Sequence, residues 1–373
     1  MRYRRMPIEV ESPEELGYGT IEINLSESSI WDARLGKWSK NLDEMILCYG
    51  AHRGADELRE LIAGTCRGLS ASDVLVVPGA AAALFIINSS LLEAGSAMLV
   101  ARPNYSTNIE TPRLIRCATK YLDLKFENGF ELDLDEVSSL LSADTRLISV
   151  TYPHNPTGVV LSEPKLHGLI ELAEKRRCYL MVDETYRDLH RGSDRHEAPP
   201  LAATLSDRAI SVSSLSKAFG LPGIRMGWAI TRNKELQELF LAAKEQIFIC
   251  NSVVDEEIAR RVLAERDSLL KDIRERVAEN FQIVSKWMDG HKNLEWVRPQ
   301  GGVVSLPRVR DGVPVNIMRF YEVLMERFKT YVGPGHWFEM DDRYFRLGYG
   351  WEPKEKVAVG VRNISEALTA SLE

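Results

Sequence analysis

The chain has 373 residues, 45% of them hydrophobic and 27% charged, with a formal net charge of −7. That length exceeds one small core and fits two domains or a large domain with a cap, and the interspersed charge excludes the basic face a nucleic-acid partner requires. No apolar run approaches the ~20 residues of a membrane span, and no signal-peptide core follows the basic start, so no membrane partner and a cytoplasmic location are expected.

In chain order, residues 21–25 make one good strand. Leu58, Leu61 and Ile62 recur at helical spacing within 56–66, and 74–77 reads as a short buried strand. A helix over 80–92 opens straight after Pro78-Gly79. Strands follow at 97–100 and 146–150, then a helix over 162–175 with Leu166, Ile170 and Ala173 on one face, then strands at 179–182, 209–212 and 228–230. Strands alternating with helices predict an α/β fold with a doubly wound, mostly parallel sheet, whose ligands collect at the carboxyl ends of the strands. After Arg232 the character changes. Helical stretches over 234–263 and 266–291 lead to short strands near Trp296 and at 303–306, a helix near 316–328, a strand at 344–347 and a terminal helix from 355. This second part reads as a smaller α+β domain that packs with the N-terminus. The expected division is a large domain of residues 46–265 and a small domain of 1–45 with 266–373.

The five cysteines are scattered without a Cys-x-x-Cys pair and read as free thiols. The seven histidines show no metal-ligand spacing, and no metal is expected. His190 and His196 fall in a charged stretch that reads as a solvated loop.

Four clusters carry chemistry. In Val212-Ser-Ser-Leu-Ser-Lys-Ala-Phe-Gly-Leu-Pro-Gly-Ile-Arg225, Lys217 follows a strand among hydroxyls. Ser214, Ser216 and Arg225 suit a phosphate, and the lysine can form a Schiff base with a carbonyl cofactor. Alone, this stretch is equally a solvated turn. In Met181-Val-Asp-Glu-Thr-Tyr186, Asp183 sits at a strand's end, where burial requires a cation; a protonated pyridine nitrogen is one, and Tyr186 can bond a phenolate oxygen. Thr151-Tyr-Pro-His-Asn-Pro-Thr-Gly158 is a rigid turn presenting the amide of Asn155. Pro78-Gly-Ala-Ala-Ala-Ala-Leu84 offers free N–H groups at a helix start, a phosphate site or simply tight packing.

Together, Asn155-Pro-Thr-Gly158, Asp183-x-x-Tyr186, Ser214-x-x-Lys217 with Arg225, and Arg346 resemble the class I/II aminotransferases of the fold-type I pyridoxal-5′-phosphate (PLP) enzymes, over essentially the whole chain. The resemblance implies a fold-type I architecture, PLP as cofactor, and an amino acid and a 2-oxo acid as substrates. It makes Lys217 the Schiff-base lysine and proton shuttle, with Asp183 on the pyridine nitrogen and Asn155 and Tyr186 on the phenolic oxygen. Gly79, Ala80, Ala81, Ser214 and Arg225 would cradle the phosphate, and Tyr105 would stack on the ring. Arg346 would fork onto the substrate α-carboxylate. Tyr49, in Tyr49-Gly-Ala-His-Arg-Gly54, would reach the phosphate of a second subunit, which implies a homodimer with shared active sites; Ser252 matches the interface loosely.

The chain departs from the family in Leu25-Ser-Glu-Ser-Ser-Ile-Trp31, where many relatives carry a glycine that touches substrate; Ser28 is the candidate there. No second arginine is placed for a side-chain carboxylate. His336 and Trp337 are candidate specificity residues or a packed aromatic hinge. The run after Lys217 also resembles histidinol-phosphate aminotransferases and threonine-phosphate decarboxylases. The expected reaction is transamination. The alternative is a PLP lyase, decarboxylase or cyclase resembling capreomycidine synthase or threonine-phosphate decarboxylase, since the same first steps serve all of them. A PLP-responsive transcription regulator would need a DNA-binding segment, and no helix-turn-helix pattern is present.

Overall fold

The computed structural model describes residues 3–191 and 200–373; the stretch containing His196 lies outside them. Its centre is a seven-stranded sheet built from β1 (Val74–Val77), β2 (Ala97–Arg102), β3 (Ala118–Asp123), β4 (Thr145–Thr151), β5 (Tyr179–Asp183), β6 (Ala209–Ser214) and β7 (Gly227–Ile230), in the order β1-β7-β6-β5-β4-β2-β3. All neighbours pair in parallel except β7, which runs antiparallel to both β1 and β6.

The strands are apolar at nearly every position because both faces are covered. Alternate residues serve different cores. Leu99, Ile148, Leu180 and Val182 pack with Leu166, Leu169, Ile170 and Ala173 of the Glu163–Arg176 helix. Met98, Val100, Leu147, Met181 and Ile210 pack with Ile86 and Ile87 of the Ala80–Leu91 helix and Phe240 of the Lys234–Ile247 helix. Each such Leu or Ile contributes roughly 1.5–3 kcal/mol when fully buried.

Two sequence expectations need correction. β3 was not foreseen: its sequence, Ala-Thr-Lys-Tyr-Leu-Asp, buries only Leu122, because an edge strand needs no continuous apolar run. The helical stretch expected over 234–263 is two helices, Lys234–Ile247 and Val253–Ala264. Ile249 takes a left-handed φ of 60°, and Ser252 Oγ restarts the helix by accepting the Asp255 N–H at 3.3 Å.

The rest of the chain builds small sheets and long helices. The strands β8 (Val304–Ser305), β9 (Gly333–Pro334) and β10 (Phe345–Gly348) form an antiparallel sheet in the order β8-β10-β9. Ile23–Asn24 pairs in parallel with Thr330–Tyr331. The Arg266–Asp289 and Lys354–Thr369 helices cover these strands through Val277, Val284, Val361 and Ile364.

One contact draws the N-terminal segment over the sheet edge. The Gly348 N–H donates to the Leu25 carbonyl at 2.7 Å, and a Cβ on Gly348 would stand 1.9 Å from the Glu27 carbonyl oxygen. Only glycine allows that approach. All five cysteines are free, no three His, Cys, Asp or Glu side chains group as a metal site among the described residues, and no described helix is long and apolar enough to cross a membrane.

Candidate active site

The carboxyl ends of the parallel strands open into a cavity of about 530 Å³. Asp183 closes β5 and Ser214 closes β6; Thr151 closes β4, and Asn155 follows it. Tyr105 follows β2, and Ala80 and Ala81 follow β1. Because β7 is antiparallel, its start lies at this same edge, which brings Arg225 beside the turn after β1. The sheet topology thus gathers residues that are up to 145 positions apart in the chain, from Ala80 to Arg225.

The anion end is made of backbone and guanidinium. Gly79 has φ +83°, and a Cβ there would meet Arg225 Nη2 at 2.6 Å, so the absent side chain is what admits the guanidinium. The Ala82 N–H bonds back to the Gly79 carbonyl at 3.2 Å, leaving the N–H groups of Ala80 and Ala81 ahead of the helix's own bonds. Arg225 Nη1 donates to the Pro222 carbonyl at 3.1 Å, and Ser214 Oγ accepts the Ser216 N–H at 3.4 Å. Free N–H groups at a helix start beside a guanidinium and a serine hydroxyl are an arrangement suited to a phosphate.

Asp183 is buried, and burial pushes its carboxyl above the usual carboxylate range. Its Oδ1 accepts both the Thr185 hydroxyl at 2.5 Å and the Thr185 N–H at 3.1 Å. No hydrogen bond from a described residue reaches Oδ2, which leaves it for a cation. Tyr186 is 3% exposed, and its hydroxyl has no partner of full hydrogen-bond geometry among the described residues; Ser28 is its polar neighbour. A buried hydroxyl without a partner costs about 1–3 kcal/mol, so the cavity is built around a group that supplies one.

Lys217 Nζ donates to Ser28 Oγ at 3.0 Å. Burial pushes its amine below the usual lysine range, against the opposing charge of Glu27. Arg346, on β10, is 5% exposed. Its Nε and Nη2 donate to the Ser26 carbonyl at 3.0 and 2.6 Å, and its Nη1 to Asn155 Oδ1 at 3.4 Å. The Trp337 and Phe338 rings lie 5.6 and 5.2 Å from the guanidinium, and burial lowers its pKa.

Most of the candidate residues read from the sequence therefore meet here. Tyr49 does not line this cavity; it is exposed, on a segment held against the Lys234–Ile247 helix by His52 Nδ1 and Glu245 Oε1 at 2.6 Å. Ser252 is spent on the helix cap. Trp337 lines the cavity, while His336 sits outside it between Glu11 Oε2 and Asp342 Oδ1, each at 2.8 Å. Sequence reasoning missed Thr185, Glu27 and the residues of the Pro7–Val10 and Pro13–Leu16 helices that form the cavity's outer wall. Thr185 was readable as an Asx-type turn after Asp183; the outer wall carries no motif.

Residues 23–364 match the profile of the aminotransferase class I and II family. Capreomycidine synthase of Streptomyces vinaceus is 28% identical over 333 residues, 88% of this chain and 83% of that one. An aspartate aminotransferase of Pyrococcus horikoshii is 25% identical over 337 residues, 88% and 84% of the two chains. A solved PLP-dependent aminotransferase from Streptococcus suis superposes with a TM-score of 0.91 at 25% identity, covering 100% of both chains.

One buried histidine braces the site without facing it. His154 Nε2 donates to the Pro103 carbonyl at 2.8 Å and Nδ1 meets Thr157 Oγ1 at 2.8 Å, so the ring ties the Asn155 turn to the loop carrying Tyr105. Burial pushes its pKa down to about 4 from 6.5. The unfolded chain takes a proton there near pH 6.5 and the folded chain only near 4. Its contribution is therefore complete above pH 6.5 and is lost as pH falls toward 4, by about 3 kcal/mol at ~1.4 kcal/mol per unit. Urea unfolding of the protein and of His154→Gln between pH 7 and 4 should show a steeper loss in the wild type; equal slopes would contradict this.

Proposed function

The chain belongs to the aminotransferase class I and II family and is a PLP-dependent enzyme, and from that premise we propose that it moves the amino group of an L-amino acid to a 2-oxo acid. The observation that carries the proposal is one cavity lined by Lys217, Asp183 and Arg346. When bound, PLP supplies a carbonyl that takes up amino groups and a ring that withdraws electrons from the substrate Cα.

In this reading Lys217 holds the cofactor covalently and Asp183, through its open Oδ2, keeps the ring nitrogen protonated. The Tyr186 hydroxyl and the Asn155 amide donate to the phenolic oxygen, which gives the orphaned tyrosine its partner. Arg225, Ser214, the Ala80 and Ala81 N–H groups and the turn at Gly79 take the phosphate, and Tyr105 flanks the ring. Arg346 receives the substrate α-carboxylate, already oriented by the Ser26 carbonyl and shielded by Trp337. Once the substrate amine has displaced it from the cofactor, Lys217, whose amine burial holds below the usual lysine range, would accept the proton from Cα. Ser28 steadies the lysine from the N-terminal segment.

The likeness to capreomycidine synthase favours a second reading, a PLP-dependent lyase, decarboxylase or cyclase: elimination and cyclisation start from removal of the same Cα proton, and decarboxylation breaks the Cα–carboxylate bond on the same electron-withdrawing ring. We also propose the division into a cofactor-binding unit of 46–265 and a smaller unit of 1–45 with 266–373, supported by the pairing of Ile23–Asn24 with Thr330–Tyr331. The protein is proposed to be a cytoplasmic homodimer in which Tyr49 reaches the other copy's phosphate. Support comes from Ile46, Leu47 and Tyr49, which are 81%, 76% and 80% exposed, and from Phe248 and Ile249, which are exposed as well.

Adding L-amino acids to the loaded enzyme should bleach its visible band with one donor and yield the matching 2-oxo acid in equal amount. Release of ammonia or CO₂ instead would hand the function to the second reading. Arg346→Ala should raise KM for the amino acid by about 10²-fold or more, the scale of a truncated buried charge pair, with cofactor occupancy retained; an unchanged KM would mean the carboxylate anchor lies elsewhere. Sedimentation should give a dimer for the wild type and a monomer for Leu47→Glu with Phe248→Glu. A monomeric wild type would end the shared-site proposal.

A further inference from the structure

Resting on the reading above, we infer that the substrate carries a second cationic group on its side chain, an ammonium or guanidinium, received by Glu27 with Glu14. The Ser26 carbonyl holds Arg346, and Ser28 Oγ holds Lys217, so Glu27 stands between the carboxylate anchor and the reacting amine. Its side chain lines the cavity and makes no hydrogen bond or ion pair among the described residues. It lies close enough to Lys217 and Arg346 for each to stabilise its charge, yet burial still raises its pKa.

The charges of the cavity leave the same two carboxylates over. Arg225 faces the phosphate cradle, Arg346 the α-carboxylate, and Lys217 gives up its charge when it holds the cofactor. Among the acidic groups on the outer wall, Glu15 pairs with Arg5 at 3.0 Å. Glu9 accepts the Met6 N–H at 2.7 Å and the Ser106 hydroxyl at 3.1 Å. Glu14 and Glu27 have no cation within ion-pair distance among the described residues, and each raises the pKa of Tyr18. The largely buried Glu27, with the exposed Glu14 near it, is a carboxylate whose desolvation is costly without a cation. A neutral or acidic side chain would leave Glu27 uncompensated, whereas a cationic one completes the site.

The test uses the PLP-loaded enzyme with arginine and citrulline as donors, which differ in charge and hardly in shape. Arginine should exceed citrulline by about 10²-fold in kcat/KM, as expected where a site is left with an unpaired polar group. In Glu27→Gln, and separately in Glu14→Gln, that ratio should fall by about tenfold or more. Calorimetry gives a readout that needs no turnover: 5-guanidinopentanoate should bind the loaded enzyme at least tenfold tighter than hexanoate, and Glu27→Gln should remove the difference. Neutral or acidic donors converted as fast as arginine, or equal affinities for the two acids, would overturn the inference while leaving the aminotransferase reading intact. Tight, Glu27-dependent binding of 5-guanidinopentanoate without nitrogen transfer from any donor would do the reverse.

Discussion

The close approach of residues 25–28 to β10 is the contact on which the site depends. Gly348 has no side chain, so the Glu27 carbonyl can rest where a Cβ would be, and the Leu25 carbonyl accepts the Gly348 N–H. From that one apposition the Ser26 carbonyl reaches Arg346 and Ser28 reaches Lys217. An alanine at 348 would push the segment away by more than an ångström, and both contacts would be lost together. The N-terminal segment is therefore part of the active site as much as the sheet edge is.

The sheet supplies the other half, and its one antiparallel strand matters. Were β7 parallel, Arg225 would precede it at the amino edge of the sheet, away from Gly79. Reversed, β7 starts where the other strands end, and the guanidinium settles against the glycine. The same edge holds Asp183 and Tyr186, whose burial and unfilled hydrogen-bonding capacity are unfavourable in the protein by itself and become favourable once a ligand completes them. Much of the cavity's polarity is thus a preorganised deficit, and the cofactor and substrate are the groups that fill it.

Seen in this way, the acidic outer wall and the basic interior divide the work. Arg225 and Arg346 bring two guanidinium groups into the cavity that Lys217, with its lowered pKa, also lines. Glu27 and Glu14 set the sign of what can approach from outside. Of the second set, Glu27 belongs to the segment where the chain departs from the family pattern, and Glu14 to the Pro13–Leu16 helix of the outer wall.

How much of this was legible in the sequence follows from the range of the interactions involved. The buried parallel strands were readable because two covered faces demand continuous apolar runs, and Lys217, Asp183, Asn155 and Arg225 were readable because each sits in a local motif directly beside such a run. The edge strand β3 was not, since one covered face tolerates Thr119 and Lys120. Nor was the break at Ile249, whose left-handed backbone no local signal in a β-branched residue announces. His336 and Trp337 were indistinguishable as neighbours in the chain, and only packing against Glu11 turned one outward and set the other beside Arg346. The sequence by itself determined the fold class, the cofactor and most of the residues gathered in the cavity, because those are encoded within single strand-to-loop junctions. Tertiary structure decided which side chains face the substrate, because Glu27 and Glu14 come to the cavity through a contact between residues more than three hundred positions apart.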